Sequence, residues 1–141
     1  MLRTMTVEEN ILFRETFKNN LLSEFSSMEV IEAANGEEAF KGLASCPVDL
    51  VFMDISLPGE SGLELTRKIR EKYKDVTIAM LTSYALAEYR EAAARAGADG
   101  YITKDSIKWD QISAMVKCFQ RAKDSTGLKP SCVRLASEGS P

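Results

Sequence analysis

The sequence predicts an α/β fold, (βα)5, with a doubly wound five-stranded parallel sheet in the strand order 2-1-3-4-5. Three observations lead there. Apolar runs of strand length alternate with stretches of helical periodicity along the whole chain. The run DLVFMD at 49–54 is apolar from Leu50 to Met53, the pattern of a strand buried on both faces. Alternation of this kind builds right-handed βαβ units, with helices on both sides of the sheet.

The elements follow in order. LRTMTV at 2–7 is a short β-prone run, weakened by Arg3. From Asn10, a plausible N-cap, Phe13, Phe17, Leu21 and Phe25 recur every four residues and mark one face of a helix. EVIEA at 29–33 reads as the second strand. Asn35 and Glu38 have the spacing of a capping box, so a short helix follows. After the third strand, Ser61 and Glu64 repeat that spacing, and Leu65, Ile69 and Tyr73 lie on one helical face. VTIAMLT at 76–82 is the fourth strand, and the alanine-rich stretch after it is a helix closed by Gly97. DGYITK gives a fifth strand ending at Lys104. Ile112, Met115, Val116 and Phe119 mark a last amphipathic helix to about Lys123. Residues 1–123 thus form one domain. Residues 124–141, rich in Ser, Gly and Pro and without periodicity, read as a disordered tail or linker stub.

Composition narrows the function. A chain of 141 residues with 45% hydrophobic residues suits one globular domain. The net charge of −3 leaves no electrostatic footprint for nucleic acid, and no apolar run is long enough to span a bilayer. The start, MLRTMTVEEN, lacks the charged-then-apolar pattern of a secretory signal. Cys46, Cys118 and Cys132 lack metal-site spacing and read as reduced thiols, so a cytoplasmic setting is expected. The chain contains no histidine, which removes Ser-His-Asp and Cys-His catalysis and His-ligated zinc.

The chemistry is expected at the carboxyl ends of the strands, where open α/β sheets bind ligands. Those ends carry Glu8 and Glu9, then Asp54, Thr82 and Lys104. Taken singly, each has an ordinary explanation. Asp54 fits a turn or cap, the glutamates a solvated helix start, Thr82 a strand-end hydroxyl, Lys104 a surface charge and Tyr101 core packing. Their joint placement around one crevice favours a site. Three clustered carboxylates repel one another, and a divalent cation relieves that cost. Oxygen donors without His or Cys suit Mg²⁺. A carboxylate can also act as a covalent nucleophile, so a phosphoryl group on Asp54 fits between the metal and Lys104.

The motifs VEEN at 7–10, FMDISLPGESG at 52–62, LTS at 81–83 and GYITK at 100–104 together resemble the receiver domain of two-component response regulators, a CheY-like fold of the flavodoxin-like class. The run VEENILFRE is similar to a subfamily often fused to LuxR-type helix-turn-helix domains, a pattern that the residues after 123 do not carry. The resemblance implies that Asp54 is the phosphoacceptor. It implies Mg²⁺ ligation by Glu9, Asp54 and the backbone carbonyl of Ser56, with Glu8 acting through water. Lys104 would pair with a phosphoryl oxygen, and Thr82 would hydrogen-bond another. Tyr101 would be the aromatic switch that follows Thr82, and Pro58 and Gly62 would shape the loop beyond the acceptor. Two departures stand out. Asp105 follows Lys104 where the family frequently has proline, and both acids of the pair are glutamates.

Function follows from the same resemblance. The domain would take a phosphoryl group onto Asp54 from a bacterial sensor histidine kinase or a histidine phosphotransfer protein. It would catalyse Mg²⁺-dependent self-phosphorylation and slow autodephosphorylation, as a regulatory switch rather than a metabolic enzyme. Its face of fourth helix, fifth strand and fifth helix would change partners, toward a homodimer or a downstream protein, without direct contact to nucleic acid or membrane. The alternative is a pseudo-receiver, a protein-binding module that works without phosphorylation.

Overall fold

A computed structural model of the chain describes residues 2–106 and 109–125. The order is β1 (Arg3–Val7), α1 (Ile11–Glu24), β2 (Glu29–Ala33), α2 (Gly36–Ser45), β3 (Leu50–Met53), α3 (Gly62–Lys72), β4 (Thr77–Thr82), α4 (Ala87–Ala96), β5 (Gly100–Thr103) and α5 (Trp109–Ser125). The strands form one parallel sheet in the order β2-β1-β3-β4-β5. The expected alternation and strand order are both present. Lys104 differs slightly from expectation. It opens a short 3-10 turn, Lys104–Ser106, instead of ending β5.

Side chains leave β3 alternately to the two faces. Val51 and Met53 join Val7, Leu65, Ile69 and Met80 in the core under α2, α3 and α4. Leu50 and Phe52 join Phe17, Leu21, Ile112 and Val116 under α1 and α5. All four residues of β3 are buried, as a strand covered on both faces requires. This burial holds the end of β3, and hence Asp54, in a fixed place.

The caps account for where the helices begin. Asn10 accepts from the Phe13 N–H at 3.0 Å and opens α1. Asn35 accepts from the Glu38 N–H at 2.9 Å, while Glu38 reaches back to the Ala34 N–H at 2.7 Å. Ser61 caps α3 through the Glu64 N–H, but Glu64 turns outward to Arg67, so only one half of the expected capping box forms. Phe25 and Tyr73, expected on helical faces, are instead the C-caps of α1 and α3. Helix α4 ends at Gly97 in the left-handed region, φ 107°. Arg70 fixes that end, donating to the Gly97 carbonyl at 2.9 and 3.1 Å and pairing with Asp99 at 2.8 Å.

The cysteines need a correction. Cys46 is a free thiol, but Cys118 is disulfide-bonded rather than reduced. Helix α5 runs on to Ser125, so Asp124 and Ser125, expected in the tail, belong to the helix, and Cys132 with the rest of the expected tail, residues 126–141, lies outside the described residues. Among the described residues, no helix is long and apolar enough to cross a membrane.

Candidate functional site

The site lies at the carboxyl ends of β1, β3, β4 and β5. Asp54 follows β3 directly, and its N–H donates to the Val7 carbonyl at 3.1 Å, extending the β1–β3 ladder by one bond. The Glu8 N–H does the same to Ala33 at 2.9 Å. Both carboxylates are therefore carried on sheet-like backbone, and both residues are only 6% exposed.

The glycine-rich turn beyond Asp54 now has a physical reason. A Cβ on Gly62 would stand 1.9 Å from the Asp54 carbonyl oxygen and 2.9 Å from the Ile55 Cα. Only glycine lets the start of α3 close on the end of β3, where the Gly62 N–H donates to the Ile55 carbonyl at 2.7 Å. Gly59 serves differently, by supplying a positive φ of 89° with nothing near its missing Cβ.

Lys104 reaches from the end of β5 into the same place. Its ammonium donates to Asp54 Oδ2 at 3.1 Å and makes a short contact to Glu8 Oε1. It also sits 4.3 Å from the centroid of the Phe13 ring. Glu8 Oε2 accepts from the Asn10 N–H at 2.8 Å, and Asp54 Oδ1 from the Ser56 N–H at 3.3 Å. Two buried carboxylates thus share one ammonium. Burial pushes the Glu8 carboxyl above its ordinary range, and the nearby Asp54 charge adds to the rise against the pull of Lys104 and Asn10. Burial works to lower Lys104, but its bonds to Glu8 and Asp54 outweigh this and hold the ammonium above its usual value.

These groups line a crevice of about 570 Å³ that also takes in Glu9, Ser56 and Ser83. Glu9 is exposed on its rim, in contrast to the buried Glu8. Among the described residues, no three His, Cys, Asp or Glu side chains converge as a ready metal-holding group. The donor chemistry nevertheless fits Mg²⁺. The donors are carboxylate and backbone oxygens in an open crevice, with a net negative charge that one lysine only partly offsets.

A second arrangement leads away from the crevice. Thr82 is fully buried at the end of β4, and its hydroxyl accepts a long, 3.5 Å bond from the Tyr84 N–H. The Tyr84 carbonyl in turn accepts from the Tyr101 hydroxyl at 2.5 Å. Tyr101 is turned inward at 4% exposure, and the Arg90 guanidinium lies 4.9 Å from its ring centroid. Burial pushes its phenol up to about 12.

Glu8, Asp54 and Lys104 are in direct contact, Glu9 and Ser56 share their crevice, and Thr82 and Tyr101 are joined through Tyr84. Sequence reasoning passed over three contributors. Phe13 appeared only as part of an apolar helical face, although its position three residues after the cap Asn10 puts it at the mouth of the site. Tyr84 contributes a backbone carbonyl, which no side-chain motif can signal. Arg90 gave no sign, because its partner Tyr101 lies on another element.

Comparison with known proteins bears on the family and the fold. The profile of the response regulator receiver domain matches residues 4–117. Response regulator UvrY of Escherichia coli (strain K12) is 35% identical over 116 residues, covering 82% of this chain and 53% of that protein. Oxygen regulatory protein NreC of Staphylococcus carnosus is 36% identical, with coverage of 81% and 53%. Among solved structures, response regulator TrrA of Thermotoga maritima in complex with Mg²⁺-BeF is 41% identical, with a TM-score of 0.72 over 83% of this chain and 97% of that one. A LuxR-family two-component response regulator from Aurantimonas sp. SI85-9A1 is 30% identical at TM-score 0.72, with coverage of 90% and 86%. The chain spans about half the length of the curated relatives it matches.

Proposed function

The chain belongs to the response regulator receiver domain family, and from that premise we propose that it is a phosphoacceptor switch that receives a phosphoryl group on Asp54. The observation that carries the reading is the buried Glu8–Lys104–Asp54 cluster at the end of a fully buried central strand. The donor is a phosphohistidine on a sensor kinase or phosphotransfer protein, in the cytoplasm. The chain has no histidine to serve as its own donor. In the transfer, an Asp54 carboxylate oxygen forms the new bond to phosphorus. The phosphorus–nitrogen bond breaks, and the imidazole leaves with that electron pair.

Each residue then has a task. Burial of Asp54 in an ordered turn presents its carboxylate to the crevice without a search over rotamers. Lys104 holds the carboxylate until transfer and afterwards pairs with a phosphoryl oxygen. Glu9, Asp54 and the Ser56 carbonyl would hold Mg²⁺, with Glu8 acting through water. When bound, the ion neutralises charge shared between the carboxylate and the phosphoryl oxygens. The phosphoryl group adds about −1.5 to −2 charges. Thr82 turns to meet it, and the Tyr84–Tyr101 bond passes that movement to the face of α4, β5 and α5. That face would engage a second copy of the chain or a downstream protein.

Mg²⁺-dependent labelling with acetyl phosphate, followed by peptide mapping, tests the reading. One adduct on Asp54 is expected, absent from Asp54→Ala. An adduct elsewhere overturns the assignment.

The exposed position of Glu9 favours a second reading, a pseudo-receiver that binds partners without phosphorylation. It predicts no labelling at all, together with partner binding that is indifferent to Mg²⁺.

A further inference from the structure

A second line of contacts leaves the Asp54 crevice on the face opposite Tyr101. The Lys104 ammonium sits over the Phe13 ring at 4.3 Å. Phe13 stacks on Phe17, one turn on in α1, with centroids 6.0 Å apart and planes 11° from parallel. Phe17 meets Trp109, the first residue of α5, edge to face at 5.9 Å. Its other neighbour is Phe52, at 4.9 Å, on the strand that carries Asp54. Trp109 donates its indole N–H to Glu24 at 2.9 Å, and Glu24 also takes Ser113 and Lys117, the latter at 3.3 Å. The stack therefore ends in a polar clasp between the last turn of α1 and the first half of α5.

We infer that Phe13 is a positioning residue for Lys104, and that the Phe13–Phe17–Trp109 stack is a second relay from the phosphoryl site to the start of α5. The inference rests on the phosphoacceptor reading above. Before transfer, the ammonium contacts the carboxylates of Glu8 and Asp54 and the ring of Phe13 among the described residues. The ring sets the height of the ammonium beside the carboxylates, because the attraction is greatest over the ring face. A phosphoryl group on Asp54 puts new oxygens beyond the carboxylate. The ammonium moves to them and its distance to Phe13 changes. Phe17 is buried and packed on two further rings, so Phe13 cannot re-pack without shifting the Phe17–Trp109 contact. Tyr101 lies in the core on the other side of the sheet. The two routes are separate, and each can be cut alone.

Trp109 is the only tryptophan of the chain and reports the relay directly. Its emission is followed as Mg²⁺ and beryllofluoride are added to the full chain, with NMR of the Tyr101 region recorded in parallel. In the parent, both signals should change. Phe13→Leu keeps the apolar bulk but removes the ring face. It should lose the Trp109 change and keep the Tyr101 change. Phe13→Tyr keeps the ring and should restore the Trp109 change, which a purely space-filling role would not require. Two results overturn the relay alone. In one, the parent moves Tyr101 but not Trp109. In the other, Phe13→Leu keeps a parent-like Trp109 change. A parent in which neither region moves, and in which Asp54 takes no label from acetyl phosphate, overturns the phosphoacceptor reading and the relay together.

Discussion

Tyr101 and Tyr84 are tied by a hydrogen bond from the Tyr101 hydroxyl to the Tyr84 carbonyl at 2.5 Å. The bond fastens the exposed loop after β4 to a buried ring on β5. Burial first, with smaller contributions from Tyr89 and Asp54 against the pull of Arg90, raises this phenol from an ordinary 10.0 to about 12. The folded state therefore holds the proton more tightly than the unfolded chain. The resulting stability is fully present below about pH 10 and is lost as pH rises toward 12, at no more than about 1.4 kcal/mol per pH unit. Chemical denaturation at stepped alkaline pH should show this decline in the parent and a shallower one in Tyr101→Phe. Identical slopes would mean that the phenol is not protected.

The two glycines of the turn should respond differently to alanine. At Gly62, a Cβ meets three backbone atoms of the Asp54–Ile55 peptide, at 1.9, 2.7 and 2.9 Å, and backbone cannot swing aside as a flexible side chain can. Gly62→Ala should cost on the order of 3 kcal/mol or more, and should disturb Asp54 itself. At Gly59 there is open space and a φ of 89°, so Gly59→Ala carries only the left-handed backbone cost, about 1 kcal/mol. Thermal melts of the two variants give the comparison. Equal losses would show that the close approach at Gly62 relaxes easily.

Much of this was legible in the sequence because the relevant patterns are local. The four apolar residues before Asp54, the caps at Asn10, Asn35 and Ser61, and Gly97 each act within a few residues of themselves. The strand order followed from alternation and handedness rules, which leave few topologies. The placement of Glu8, Asp54, Thr82 and Lys104 was readable because each lies at or just beyond the end of a strand, and the strand ends converge. What stayed hidden depends on contacts between distant elements. The sequence could not show that Glu8, and not Glu9, turns inward onto Lys104. The choice depends on Asn10 and Lys104, ninety-six residues from Glu8 in the second case, both bonding the same carboxylate. Nor could it show Lys104 over Phe13, or the bond of Tyr101 to a backbone carbonyl rather than a side chain.

Glu8 should give the parent a measurable pH dependence in the acidic range. Its folded value lies above the ordinary 4.5, because burial and Asp54 disfavour the charge. The sign is opposite to that of a salt-bridged carboxylate. Stability from this group is present below about pH 4.5 and falls as pH rises through the raised folded value. Glu8→Gln removes the titration. The difference in unfolding free energy between Glu8→Gln and the parent should therefore shift in favour of the variant as pH rises from about 4 toward neutrality. A difference that stays flat with pH would show that Glu8 titrates in the fold as it does in the unfolded chain.

Replacing Lys104 should expose the charge balance of the crevice. Lys104→Met keeps most of the apolar stem but removes the ammonium that sits over Phe13, leaving Glu8 and Asp54 both buried without their shared partner. Breaking a fully buried pair costs about 3–5 kcal/mol, and a site open to a crevice costs less, about 2 kcal/mol. Without divalent ions, the variant should melt several degrees below the parent. Mg²⁺ should then stabilise the variant more than the parent. In the parent, lysine already supplies part of the neutralisation, whereas in the variant the ion meets the full charge of both carboxylates. A ligand stabilises a fold according to its affinity, so the gain in melting temperature at a fixed Mg²⁺ concentration measures the difference. The two gains should diverge more at low salt, where screening is weak. Equal gains in parent and variant would place the bound ion away from Lys104 and would remove Glu8 and Asp54 from its ligand set.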